Sequence, residues 1–283
     1  MRKVISMLAT MAVLTMFLFS AAYAGTGDVT ITFWGQSAFK LESGGKTILV
    51  DPWITENWVC PIKRENITKA DLILITHDHF DHVGDTHDAV GNIIHAADTI
   101  EIAKQTGAIV VAEYETAQRL IAEGLPPQNV LFDGFGRGIG GPIEVKDANG
   151  NTFVTLFMTP AVHSSDSGVS VGHIIKFPGG STIYHAGDTA IYSDMQIYGT
   201  LYPMDMALLP IGGGFTMDGV QAAESLRLLK PSKAIPMHYG TFPMLAPNAD
   251  EFVAQAKKVA PEVGIVVLQP GGSYILQPKT VIQ

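Results

Sequence analysis

Directly after the apolar run DLILI (71–75) the chain reads THDHFDHVGD (76–85), with three histidines and three aspartates in ten positions. The run reads as a buried strand, so these polar groups stand at the mouth of the core. Polar and ionisable groups at such a place cost free energy unless partners satisfy them. In an extended segment residues i and i+2 point the same way. His77 and His79 therefore aim two imidazoles at one point, while Asp81 and His82, further along, face a second point nearby. A solvated polar loop is the bland alternative, and it leaves the histidines unexplained. Imidazole and carboxylate donors suit zinc, with manganese or iron as alternatives.

Four donors from one loop do not complete two sites. Three other places offer a polar residue just past an apolar run: His163 in TPAVHSS, Asp188 in HAGDT and His238 in IPMHYGTF. Taken singly, each reads equally well as a satisfied polar residue. A carboxylate can bridge two cations, and Asp188 is the best placed for it.

The rest of the chain sets the frame. VTITFW (29–34), AFKLES (38–43) and KTILVD (46–51) read as strands, the last two a hairpin across a glycine turn. An irregular stretch with two tryptophans spans 52–70. Helical spacing is expected over 96–107 and 114–124, each ending on glycine, and over 218–230 and 248–260. Strands are expected at 108–111, 152–160, 168–177, 181–188, 206–210, 233–237 and 264–270, and a turn over 134–145. This order predicts an α/β (α+β) fold, with sheets flanked by helices on both outer faces.

The first 24 residues stand apart. Arg2 and Lys3 precede an uncharged apolar run, and Ala22-Tyr23-Ala24 fits a leader cleavage site. The expectation is a signal peptide over 1–24 and one domain over 25–283, periplasmic or secreted, with no stable membrane anchor after cleavage. An uncleaved anchor is the alternative. The chain carries 27 acidic against 18 basic residues. An acidic surface repels phosphate backbones, so no nucleic-acid partner is expected. The lone Cys60 reads as a small loop residue.

The series His77-x-His79-x-Asp81-His82, His163, Asp188, His238 resembles the metallo-β-lactamase-fold hydrolases. Within them THDHFDHVGD, HSS, YHAGDT, GGGFTMD and PMHYGTFP resemble a metal-dependent hydrolase branch close to ascorbate-phosphate lactonases and N-acylethanolamine-releasing phospholipase D. The likeness spans roughly residues 28 to 275. It implies a four-layered αββα sandwich with the site at one edge of two sheets. It implies two divalent ions, one on His77, His79 and His163, the other on Asp81, His82 and His238, with Asp188 bridging. It implies hydrolysis of a small-molecule ester, lactone, amide or phosphodiester by a metal-bridging hydroxide. Asp81 would orient the water and carry a proton. A non-catalytic metal-binding or metal-sensing protein on the same scaffold is the alternative.

Thr76, Asp78, Asp85 and Thr189 are the nearest candidates to steady the imidazoles. His87 and His95 are expected at helix starts and His173 as a hydrogen-bonded core residue. His185 reads as a support or a substrate-facing group. Trp53, Trp58 and Phe80 are candidates to wall a pocket. GFGRGIGG lacks the context of a phosphate loop and reads as a turn. IGGGFTMDG stands before a helix whose start could receive an anion.

Overall fold

A computed structural model describes residues 27–88, 90 and 93–278. The leader expected over 1–24 lies outside them. No helix among the described residues is long and apolar enough to cross a membrane.

In chain order the strands are β1 (Val29–Gly35), β2 (Ala38–Ser43), β3 (Lys46–Val50), β4 (Leu72–Leu74), β5 (Thr86–His87), β6 (Ile93–His95), β7 (Ile109–Val111), β8 (Gly140–Lys146), β9 (Thr152–Pro160), β10 (Val171–Lys176), β11 (Thr182–His185), β12 (Met206–Pro210), β13 (Lys233–Met237), β14 (Gly264–Ile265) and β15 (Ser273–Leu276). The helices are α1 (Phe80–Val83), α2 (Asp98–Thr106), α3 (Tyr114–Ala122), α4 (Leu131–Gly134), α5 (Met195–Leu201), α6 (Gly219–Leu229) and α7 (Asp250–Val259). One sheet has the order β15-β1-β2-β3-β4-β7, the other β14-β13-β12-β11-β10-β9-β8, and β5 pairs with β6 in a small ribbon.

Alternating side chains stack these sheets face to face. Leu72 and Leu74 of β4 join Met206 and Leu208 of β12 in the core between the sheets. Their neighbours Ile73 and Ile75 face the other way, against Ile100 and Ala103 of α2 and Leu120 of α3. Ala207 and Leu209 likewise meet Ala223 and Leu226 of α6 and Phe252 of α7. The result is the expected αββα sandwich. Asp218 caps the start of α6, its side chain accepting from the Gln221 amide.

Several local expectations are corrected. His87 and His95 lie in the β5–β6 ribbon, not at helix starts. The stretch 134–145 turns only in its first part, and from Gly140 it pairs with β9. Only Gly264–Ile265 of the run 264–270 is strand. The short helices α1 and α5 and the terminal strand β15 carry no strong local signal.

The polar cluster sits where strands stop. β3, β4 and β7 run parallel, as do β11, β12 and β13. β9 points the same way as β11, being two antiparallel steps from it. Carboxyl ends of strands are where open α/β sheets gather their ligands. His77, His163, Asp188 and His238 each follow such an end.

Candidate metal centre

The seven sequence-predicted residues converge. Nε2 of His77 lies 3.0 Å from Nδ1 of His79, and Nε2 of His163 lies 3.3 Å from that same Nδ1. Three ligands of a tetrahedral ion at ~2.0–2.1 Å stand about 3.3 Å apart, so the group has the right size for one cation. Asp81, His82 and His238 form a second group. The Nε2 of His238 is 3.5 Å from Asp81 Oδ2, and that of His82 is 3.9 Å away. Asp188 touches both groups. Its Oδ2 lies 3.6 Å from His163 Nε2 and 3.0 Å from His238 Nε2, and its Oδ1 lies 3.4 Å from His82 Nε2.

The buried atoms call for cations. Asp51 Oδ2 takes the His82 Nδ1 hydrogen bond at 2.8 Å. That places a proton on Nδ1 and leaves Nε2 as an acceptor. Nε2 of His82 and Oδ1 of Asp188 are both buried without a hydrogen-bond partner. Two acceptors facing one another at this distance need a positive charge between them. Without an ion, protons take that place. Burial opposes charge on His82, but Asp188, Asp51 and Asp81 outweigh it and push its pKa well above the ordinary value. Burial likewise opposes charge on His238, yet Asp188 and Asp81 raise it to about 9. Burial acts to raise Asp188, and the facing His238 and His82 nonetheless hold it well below the usual carboxylate range. His77 is depressed by burial and by the charge on His82. A cation entering here displaces protons.

Several residues hold the ligands in place. Asp51, at the end of β3, also accepts from the Thr76 amide at 2.8 Å and the Thr76 hydroxyl at 2.7 Å. Thr76 Oγ1 stands 3.1 Å from His77 Nδ1. Asp78 supports a loop rather than an imidazole: its Oδ1 accepts from Ser165 Oγ at 2.7 Å and the Asp166 amide at 2.8 Å, fixing the turn after His163. Thr189 Oγ1 accepts from the Val162 amide at 3.0 Å, on the other side of His163. Asp85 is paired with Arg119 instead. Gln36 Nε2 donates to Asp81 Oδ2 at 2.7 Å. Asp51 and Gln36 escape a reading of the sequence. Asp51 does carry a signal, a carboxylate closing an apolar strand, while Gln36 carries none.

His185 is a support. Its ring is buried, Nε2 meets the Ser37 carbonyl at 3.0 Å, and Nδ1 accepts from the Gly187 amide at 3.2 Å. His173 is the expected core residue, with Nε2 2.9 Å from the Ile75 carbonyl. Phe80 lines the cavity above the cluster, but Trp53 and Trp58 stand behind its lining, against Phe242. The 52–70 loop that carries them is tied to α2: Asp98 accepts from the Ile54 and Thr55 amides at 2.7 and 2.6 Å.

A two-sheet sandwich with histidines and aspartates gathered at its strand ends is the frame of the metallo-β-lactamase-fold hydrolases. The beta-lactamase superfamily domain model matches residues 30–238. A UPF0173 metal-dependent hydrolase of Nitratidesulfovibrio vulgaris is 44% identical over 246 residues, covering 87% of this chain and 95% of that protein. One from Aeropyrum pernix is 42% identical over 251 residues, covering 86% and 96%. Among solved structures, the metallo hydrolase Igni18 of Ignicoccus hospitalis superposes with a TM-score of 0.75 at 36% identity, covering 89% of this chain and all of that one. The chain belongs to the metallo-β-lactamase superfamily, as one of its metal-dependent hydrolases.

Proposed function

We propose that this protein is an exported dinuclear hydrolase of a small-molecule ester, lactone, amide or phosphodiester. The observation that carries the reading is Asp188, whose oxygens lie 3.0–3.6 Å from imidazoles of both three-residue groups. Such a carboxylate suits a bridge between two ions. His77, His79 and His163 would hold one and Asp81, His82 and His238 the other, with zinc favoured by the donor types. Export rests on the leader-like first 24 residues.

Two divalent cations there would lower the pKa of a shared water from ~16 towards ~7 and polarise the substrate oxygen. The chain's own residues supply the rest. Asp51 and Thr76 fix the rings of His82 and His77. Asp81, held by Gln36, orients the attacking water, accepts its proton and returns it to the leaving group.

Zinc-loaded protein is expected to hold about two ions per chain and to hydrolyse members of a chromogenic panel of these substrate classes. Asp81→Asn is expected to lower kcat by about 100-fold or more, given what a positioned proton carrier contributes. A variant running at the full rate removes Asp81 from that role. A chain saturating at one ion contradicts the dinuclear reading.

A further inference from the structure

The cavity over the cluster is about 780 Å³. Phe80, Phe215, Phe242, Met244 and Leu245 supply its apolar lining. Phe215 and Met244 are 63% and 64% exposed, so they stand in water at the mouth. Two tryptophans outside the lining brace Phe242. The Trp53 ring lies parallel to Phe242 at 5.9 Å, and Trp58 meets Phe242 edge-on at 5.0 Å. Phe80 stands edge-on to Trp53 at 5.7 Å. Apolar lining beside convergent polar groups is the usual make-up of a small-molecule site, and covering it with an apolar ligand is favourable.

The lining also includes Asp85 and Asp166, and among the described residues lining the cavity none is Lys or Arg. The guanidinium of Arg119 is engaged by Asp78, Asp85 and Glu123. The N-terminus of α6, just beyond Phe215, is closed by its own Asp218, which accepts from the Gln221 amide at 2.8 Å. Carboxylates and phosphates are ordinarily recognised by Arg, Lys or bare helix starts. An anionic group placed away from the reacting centre would find neither Arg, Lys nor a bare helix start, only the neutral donors Thr86 and Ser164 and the imidazole of His87 beside two carboxylates.

We infer that the substrate is an uncharged carboxylic ester, lactone or amide with an apolar arm, the arm lying across Phe215, Phe242 and Met244. This rests on the hydrolase reading above and narrows it to substrates with an apolar arm and no second charge away from the reacting group. In the reaction the water oxygen bonds to the acyl carbon and the acyl C–O or C–N bond breaks. One water proton passes to the leaving oxygen or nitrogen, the other stays with the acid, and nothing is oxidised or reduced.

Two measurements test it. The first needs no turnover: straight-chain alcohols from butanol to octanol are titrated against the metal-loaded protein, with tryptophan emission as the signal, since Trp53 and Trp58 touch Phe242. Affinity is expected to rise roughly two- to fourfold per methylene. The double variant Phe215→Ser/Met244→Gln is expected to flatten that slope, and Ile197→Ser, on exposed α5 outside the cavity, to keep it. A flat slope in the parent protein, or one unchanged in the double variant, overturns the inference. The second compares kcat/KM for p-nitrophenyl acetate, butyrate and octanoate with bis(p-nitrophenyl) phosphate. A rise with chain length, all above the phosphodiester, supports it, and a preferred phosphodiester overturns it while leaving a hydrolase. Chain-length-dependent binding with no turnover of any ester supports the apolar arm and counts against the hydrolytic reading instead.

Discussion

Asp51 shows how much one residue behind the metal groups decides. It is fully buried and in the left-handed region at φ 45°, a conformation most side chains avoid. It joins the His82 ring to the Thr76 amide and hydroxyl. Burial works to raise its pKa, but His82 more than compensates and the carboxyl stays below its ordinary value. The charge thus persists where it makes the His82 ring a better donor to an ion. Asp51→Asn keeps the shape and removes the charge. Metal affinity is expected to fall by about 10- to 100-fold, with secondary structure retained, as read by chelator competition and circular dichroism. An affinity unchanged within twofold would show that the Asp51 charge does not act on the ion.

At the scale of elements, the site is a property of where strands stop. Gly187, between β11 and Asp188, adopts φ 63°, and a Cβ there would lie 2.6 Å from the Val171 carbonyl and 2.9 Å from Thr76 Cβ. Those two residues themselves join the sheets, Val171 donating its amide to the Thr76 carbonyl at 2.9 Å. Gly187→Ala is expected to cost more than about 1 kcal/mol and to reduce metal occupancy, measured by urea midpoint and metal analysis. An unchanged midpoint would mean the approach is looser than described. The same local logic explains what a sequence reader can see. β1 and β2 announce themselves through alternation, β12 through a short apolar run and α6 through a capping aspartate, and His77, His163, Asp188 and His238 each stand just past an apolar run. The pairing of β15 with β1 sets Leu276 opposite Val29, and nothing local to either segment encodes that partner. From the sequence alone His87 and His95 read as helix starts. Their ribbon is fixed by pairing of Thr86 with His95 instead.

At the scale of the whole molecule, the two sheets are stitched at the site's edge by buried histidines. His173 and His185 are cross-strand partners in one sheet, and each meets a backbone carbonyl of the other, Ile75 and Ser37. Burial lowers the His173 pKa from 6.5 to about 4. Above 6.5 the ring is neutral in folded and unfolded chains alike. As pH falls from 6.5 towards 4, the unfolded chain takes a proton that the folded chain refuses, so stability is lost. The loss attributable to this residue is at most about 3 kcal/mol. His173→Gln keeps a donor for the Ile75 carbonyl and does not titrate. Its melting temperature is therefore expected to fall less than the parent's between pH 6.5 and 4.5. Ion release in acid affects both proteins, so parallel curves would contradict a neutral buried His173.

The measurement closest to the centre of the account is an anomalous-difference map from crystals of the protein loaded with zinc. Two peaks are expected, one among His77, His79 and His163, the other among Asp81, His82 and His238, both against Asp188. A single peak, or none within reach of Asp188, would contradict a bridged pair of ions.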